Sequence, residues 1–132
     1  FVCAALRAGK HVVSANKHLI CHAYAELHKL AKENGVELRF TPSAGGGIPW
    51  LYNLRRQKRC DEIYALRGIM NGPTNYILDA MTTLGSDFAE VLATAQELGY
   101  AERDPSADID GIDVRRKCAI SAAYKYKALL EA

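Results

Sequence analysis

No two cysteines of this sequence stand close together: Cys3, Cys21, Cys60 and Cys118 lie at wide, irregular intervals, with no C-x-x-C pair. That excludes a disulfide-dense secreted scaffold and fits a reduced, cytoplasmic chain. Long apolar runs are missing too. None approaches the ~20 residues that span a bilayer, so no membrane partner is expected. The opening FVCAALRAGK has neither the length nor the charge-then-apolar order of a secretory signal. Charge of one sign is scarce: 17 basic against 15 acidic residues leave a formal net charge of +2, too little to argue for nucleic acid. Internal repeats and low-complexity linkers are absent, as is an initiating methionine, and the opening reads as the second half of a helix. The expectation is therefore a piece of something longer.

What is present is ordinary globular material. With 49% hydrophobic and 24% charged residues over 132 positions, the chain has one domain's worth of sequence and buries roughly two thirds of its unfolded surface. Residues 2–8 are weakly helical with Gly9 as a stop, and HVV is a short strand ending in SANK. Tyr24 to Lys32 has helical periodicity closed by Asn34-Gly35, and VELRF is the next strand. Helix, strand, helix, strand in about forty residues is the rhythm of a doubly wound parallel sheet. TPSAGGGIP follows, with Pro49 expected at the first position of a helix WLYNLRRQ. EIYALRGIM reads as an apolar strand stopped by Asn71-Gly72-Pro73, with Thr74 expected to cap the helix NYILDAMTTL. Asp87 and Glu90 have capping-box spacing for a helix with Phe88, Val91, Leu92, Ala95 and Leu98 on one face and Gly99 as its stop. The acidic stretch is expected in the loop after that helix, and from Asp113 a further helix runs through KCAISAAY toward the C-terminus.

Three features carry chemistry. The triple glycine does not have the placement of a dinucleotide fingerprint, which leaves a tight turn and a ligand-facing loop as its readings. His18 and His22, four apart beside Cys21, raise zinc, but His11 and His28 lack a ligand spacing and no further ligands complete a site. The stretch GYAERDPSADIDGIDVRRK packs Glu102, Asp104, Asp108, Asp110 and Asp113 ahead of Lys117. With Gly111 at the turn position of a calcium-binding EF-hand, the bidentate glutamate position falls on Lys117, and a cation there excludes that loop. Two readings remain. Acids decorating a helix N-terminus account for Asp110 and Asp113. A substrate site accounts also for Glu102 and Asp108, and for a lysine one helical turn beyond Asp113 that enters the apolar segment Cys118-Ala119-Ile120.

In order and separation, the series GKHVVSANK, ELRFTPSAGGGIP, LRGIMNGPTNYIL and AQELGYAERDPSADIDGIDVRRK resembles homoserine dehydrogenase, over nearly the whole chain. The match is to the middle of that enzyme. The resemblance implies an α/β chain in which residues 1–48 form the second half of a Rossmann-like NAD(P)-binding domain. Residues 49–132 would then begin an α+β substrate and dimerisation domain built on an antiparallel sheet. It implies NADP or NAD as cofactor, reversible reduction of L-aspartate 4-semialdehyde to L-homoserine on the route to threonine, methionine and isoleucine, and a homodimer. By position, it makes Lys117 the proton donor and places Lys17 near the nicotinamide and substrate. It assigns Glu102, Asp108 and Asp113 to the amino acid, with Tyr100 lining the pocket, and Asn16, Lys17, Gly72, Gly99 and Glu102 to the cofactor. Main-chain oxygens of Thr41, Ala44, Gly46 and Ile48 would hold sodium or another monovalent cation.

The chemistry agrees with those roles. Hydride reaching an aldehyde carbon leaves charge on oxygen, which a lysine ammonium stabilises and protonates, and the ammonium of an amino-acid substrate calls for carboxylates. Two residues depart from the family: Thr41 stands where glutamate is usual, and Pro73 replaces a threonine of the usual NGTTN turn. A third departure is the missing glycine-rich phosphate loop, expected ahead of Phe1, without which most of the binding energy for the dinucleotide is lost. Three rival readings stand beside this one: an inactive fragment serving packing or dimerisation, a cation-binding module on the acidic stretch, and an oxidoreductase acting on a related amino-acid semialdehyde.

Overall fold

The computed structural model of the chain describes residues 1–126, with side chains through Ala123. It is α/β. Helix α1 (Val2–Arg7) leads through Gly9, at φ +70°, into strand β1 (Val12–Val13), and helix α2 (Lys17–Glu33) crosses over to strand β2 (Leu38–Arg39). The strands pair in parallel, Val12 with Leu38 and Val13 with Arg39, as the sequence rhythm predicted. Parallel neighbours require a crossover long enough to bring the chain back to its starting edge, and α2 provides it. A 3-10 turn (Thr41–Ser43) and the glycine loop follow β2, then helix α3 (Trp50–Cys60). Helices α4 (Gly72–Leu84), α5 (Phe88–Glu97), α6 (Ser106–Ile109) and α7 (Ile112–Tyr126) complete the described chain. The last part of the C-terminal helix expected from sequence, residues 127–132, lies outside the described residues.

Two compact units divide these elements: Phe1–Ala65 with the described residues from Arg116, and Leu66–Arg115. In the first, Leu6, Ile20, Leu27 and Leu51 are fully buried, and Phe40 packs edge-on to Tyr24 at 5.6 Å between ring centroids. The second is built on α4 against α5, around Ile77, Val91, Ala95 and Ala101. Within the predicted apolar face of α5, Val91 and Ala95 are buried, whereas Phe88 and Leu98 are 39% and 58% exposed. The stripe is wider than the one helix laid on it covers.

Several expectations are corrected. Helix α2 starts at Lys17 rather than Tyr24, because Asn16 caps it by accepting the Leu19 N–H at 3.0 Å. A kink at Ala23 (φ −122°, ψ 16°) resets the helix there, which is why the later half alone showed a clear period. Pro49 occupies the N-cap position of α3 instead of its first turn, and α4 is capped by Asn71, not Thr74. The acidic stretch is not wholly loop, since Ser106–Ile109 forms the short α6. EIYALRGIM is not a strand. No described segment pairs with it, and a ladder needs a partner, so Tyr64 and Ile69 lie 88% and 79% exposed.

The glycine loop is tight at one point. Gly45 has φ +88°, and a Cβ there meets the Ile48 carbonyl oxygen at 3.3 Å and the Trp50 Cβ at 3.4 Å, whereas Gly46, at φ +56°, has nothing within 4 Å of its missing Cβ. Gly46→Ala is expected to cost about 1–2 kcal/mol for the left-handed backbone alone. Gly45→Ala should cost distinctly more in chemical denaturation, and equal losses at the two positions would count against the close approach at Gly45.

Candidate active site

In the second unit the acidic stretch is organised by a residue that sequence reading treated only as part of a turn. Asn71 is buried at 5% exposure. Its Oδ1 accepts from the Thr74 N–H at 2.9 Å and the Thr74 hydroxyl at 2.8 Å, closing the first turn of α4. Its Nδ2 donates to Asp108 at 2.6 Å and to Asp113 at 3.3 Å, so the carboxylates of α6 and of the start of α7 meet on one amide. Both aspartates are half-buried. Pro73 sits in the first turn of α4, where an N–H has no intrahelical partner to lose, so the departure from the family turn does not disturb the helix.

The other predicted residues of this unit surround the loop between α5 and α6. Gly99, at φ +77°, ends α5, and the N–H groups of Tyr100 and Ala101 both close on the Ala95 carbonyl at 2.8 and 3.1 Å. Tyr100 is 56% exposed and tilts against Tyr76 at 5.0 Å between centroids. Glu102 is exposed, and its backbone is held by Gln96, whose Nε2 donates to the carbonyls of Glu102 (3.0 Å) and Arg103 (3.3 Å). Ser106 donates through its hydroxyl and its N–H to Asp104 and so holds that carboxyl below the usual carboxylate range; the N–H contact is 3.2 Å. Asp104 is thus engaged locally by Ser106. Gly72 opens α4, and a Cβ there meets nothing within 4 Å.

In the first unit, Asn16 and Lys17 follow the carboxyl end of β1, and Thr41, Ala44, Gly46 and Ile48 follow the carboxyl end of β2. Because β1 and β2 are parallel neighbours, both loops leave from the same edge of the sheet, where open α/β sheets take their ligands. Among the loop's groups the Ser43 hydroxyl is buried with no hydrogen-bond partner among the described residues, and the Ile48 carbonyl accepts the Trp50 N–H at 2.7 Å. Lys117 is half-buried on α7. The backbone there is tied down by a relay that sequence reading missed: Trp50 Nε1 donates to Ser121 Oγ at 2.8 Å, and Ser121 Oγ donates to the Lys117 carbonyl at 2.7 Å. The i, i+4 spacing of Lys117 and Ser121 was visible, whereas the reach from Trp50 across 71 positions was not.

His18 and His22 stack face to face at 5.9 Å, and among the described residues no group of three or more His, Cys, Asp or Glu side chains is placed to hold a metal ion. No helix among the described residues is long and apolar enough to cross a membrane.

Comparison with known proteins gives two family matches, to the homoserine dehydrogenase NAD-binding domain over residues 1–41 and to homoserine dehydrogenase over residues 49–131. A homoserine dehydrogenase of Corynebacterium glutamicum is 48% identical over 125 residues, covering 95% of this chain and 28% of the relative. The chain therefore spans little more than a quarter of that relative's length. The crystal structure of a homoserine dehydrogenase from Thiobacillus denitrificans superposes with a TM-score of 0.87 at 44% identity, covering 92% of this chain and 28% of that one. A hyperthermophilic archaeal homoserine dehydrogenase in complex with NADPH gives a TM-score of 0.91 at 35% identity, covering 98% of this chain and 40% of that one.

The Trp50–Ser121 contact has a direct thermodynamic test. Ser121→Ala leaves the part-buried indole N–H without its acceptor and should cost about 1–3 kcal/mol in chemical denaturation. In Trp50→Phe the same Ser121→Ala change should cost much less, and equal costs in the two backgrounds would show that the indole and hydroxyl are not coupled.

Proposed function

Because the chain belongs to the homoserine dehydrogenase family, we propose that the full-length protein interconverts L-homoserine and L-aspartate 4-semialdehyde with NADP or NAD. The observation that carries this reading is the convergence of Asp108 and Asp113 on the buried Asn71 amide. It gathers negative charge where an amino-acid ammonium is to be received. Glu102 adds a further carboxylate at the same loop, and Tyr100 walls the amino-acid pocket.

The cofactor is supported by two features of the chain. Asn16 and Lys17 stand at the carboxyl edge of the parallel pair, and Gly72 leaves open space at the start of α4. The family resemblance assigns Asn16, Lys17, Gly72, Gly99 and Glu102 to the cofactor, with Lys17 near the nicotinamide, which supplies the hydride acceptor for alcohol oxidation. In the reducing direction Lys117 Nζ gives its proton to the aldehyde oxygen, and in the oxidising direction the neutral amine takes it back. Lys17 adds positive charge against the oxygen as it becomes anionic.

The loop of Thr41, Ala44, Gly46 and Ile48 presents main-chain oxygens together with the unpartnered Ser43 hydroxyl, a donor set suited to sodium or a similar hard cation. Thr41 in place of glutamate leaves the carbonyl contribution intact. We place the boundary between the cofactor domain and the substrate and dimerisation domain at Ile48/Pro49, supported by matches that end at 41 and resume at 49. A cytoplasmic homodimer is the assembly this reading carries.

The test is an absorbance assay of NAD(P)H formation from L-homoserine by the full-length protein. Lys117→Ala should lower kcat by about 10²- to 10⁴-fold while leaving cofactor affinity, read by fluorescence titration, unchanged. Near-normal turnover in that variant would remove Lys117 from the role of acid, and no turnover in the unaltered protein would remove the activity itself.

A further inference from the structure

We infer that Asn71 is a positioning residue of the proposed amino-acid site: its amide holds the Asp108 and Asp113 carboxylates together so that both receive one ammonium group. The inference rests on the homoserine reading above and adds a residue to which neither motif nor resemblance assigned a role.

The amide orientation is set by its neighbours. Two donors of Thr74, the N–H at 2.9 Å and the hydroxyl at 2.8 Å, point at Oδ1, and the opposite end faces two acceptors, at 2.6 Å on Asp108 and 3.3 Å on Asp113. An asparagine amide has two N–H donors, enough to serve both carboxylates. A residue needed only to cap α4 uses its oxygen alone and leaves its nitrogen to water, as many N-caps do. Here the residue is 5% exposed, so the nitrogen is committed as well. The choice of a neutral donor also matters. Lysine or arginine in this place would order the same two carboxylates but discharge them, competing with the incoming ammonium. Asparagine orders them without adding a charge of its own.

Asn71→Ser separates the cap from the clamp, because serine caps helices as well as asparagine but has no second donor end. In the full-length protein, dissociation constants for L-homoserine and for 4-hydroxybutanoate, the same chain without its amino group, are measured by calorimetry, with thermal melting as a control. The expected result is that Asn71→Ser weakens L-homoserine by about tenfold or more, leaves 4-hydroxybutanoate unchanged and melts close to the unaltered protein. Equal weakening of both ligands, or none for L-homoserine, overturns the inference. Should the unaltered protein bind neither ligand, the homoserine reading falls, and a crystal structure of Asn71→Ser then judges Asn71 alone. Asp108 and Asp113 carboxylates that turn apart support the clamp, and carboxylates that keep their places overturn it.

Discussion

One buried side-chain amide ties the acidic stretch to the helix beside it. Asn71 faces Thr74 with its oxygen and two aspartates with its nitrogen, and it does so at 5% exposure, where an unmet polar group is costly. Around that constraint the second unit arranges itself: α4 starts where Asn71 caps it, α6 and the start of α7 present Asp108 and Asp113 to it, and α5 buries the back of α4. Neighbouring carboxylates repel, and the shared donor end offsets that repulsion without cancelling their charge.

The first unit follows from a different constraint. Two strands of two residues each contribute few ladder bonds, so their parallel pairing depends on α2 packing through Ile20, Leu27 and Ala31. The consequence is positional. Both loops that carry the proposed cofactor and cation residues begin at carboxyl ends of adjacent parallel strands, so residues as far apart in sequence as Lys17 and Ala44 belong to one edge. The relay from Trp50 through Ser121 to the Lys117 carbonyl works the same way, with a distant aromatic residue holding the backbone that bears the proposed acid.

Much of the fold was legible beforehand. Gly9, Asn34-Gly35 and Gly99 marked helix ends because left-handed or terminal backbone favours those residues, and Asp87 marked the start of α5 because its side chain caps. The errors share a cause. Thr74 and Asn71 are both good caps within one short turn, and which serves is decided by the aspartates that engage the asparagine's other end. EIYALRGIM has strand composition, but composition cannot supply a neighbouring ladder. Lys117 and the carboxylates stood out by charge, whereas Asn71, Trp50 and Ser121 did not, since their importance lies in contacts across 37 to 71 positions.

The sequence by itself determined the class of chain, the family and the residues bearing the charge, because charge, glycine placement and motif order are local and survive without coordinates. Only the tertiary structure decided which carboxylates meet, which asparagine holds them and which loops share an edge. Hydrogen bonding at 2.6 to 3.3 Å depends on where the folded backbone brings distant residues, and that is a property of packing that no short stretch encodes.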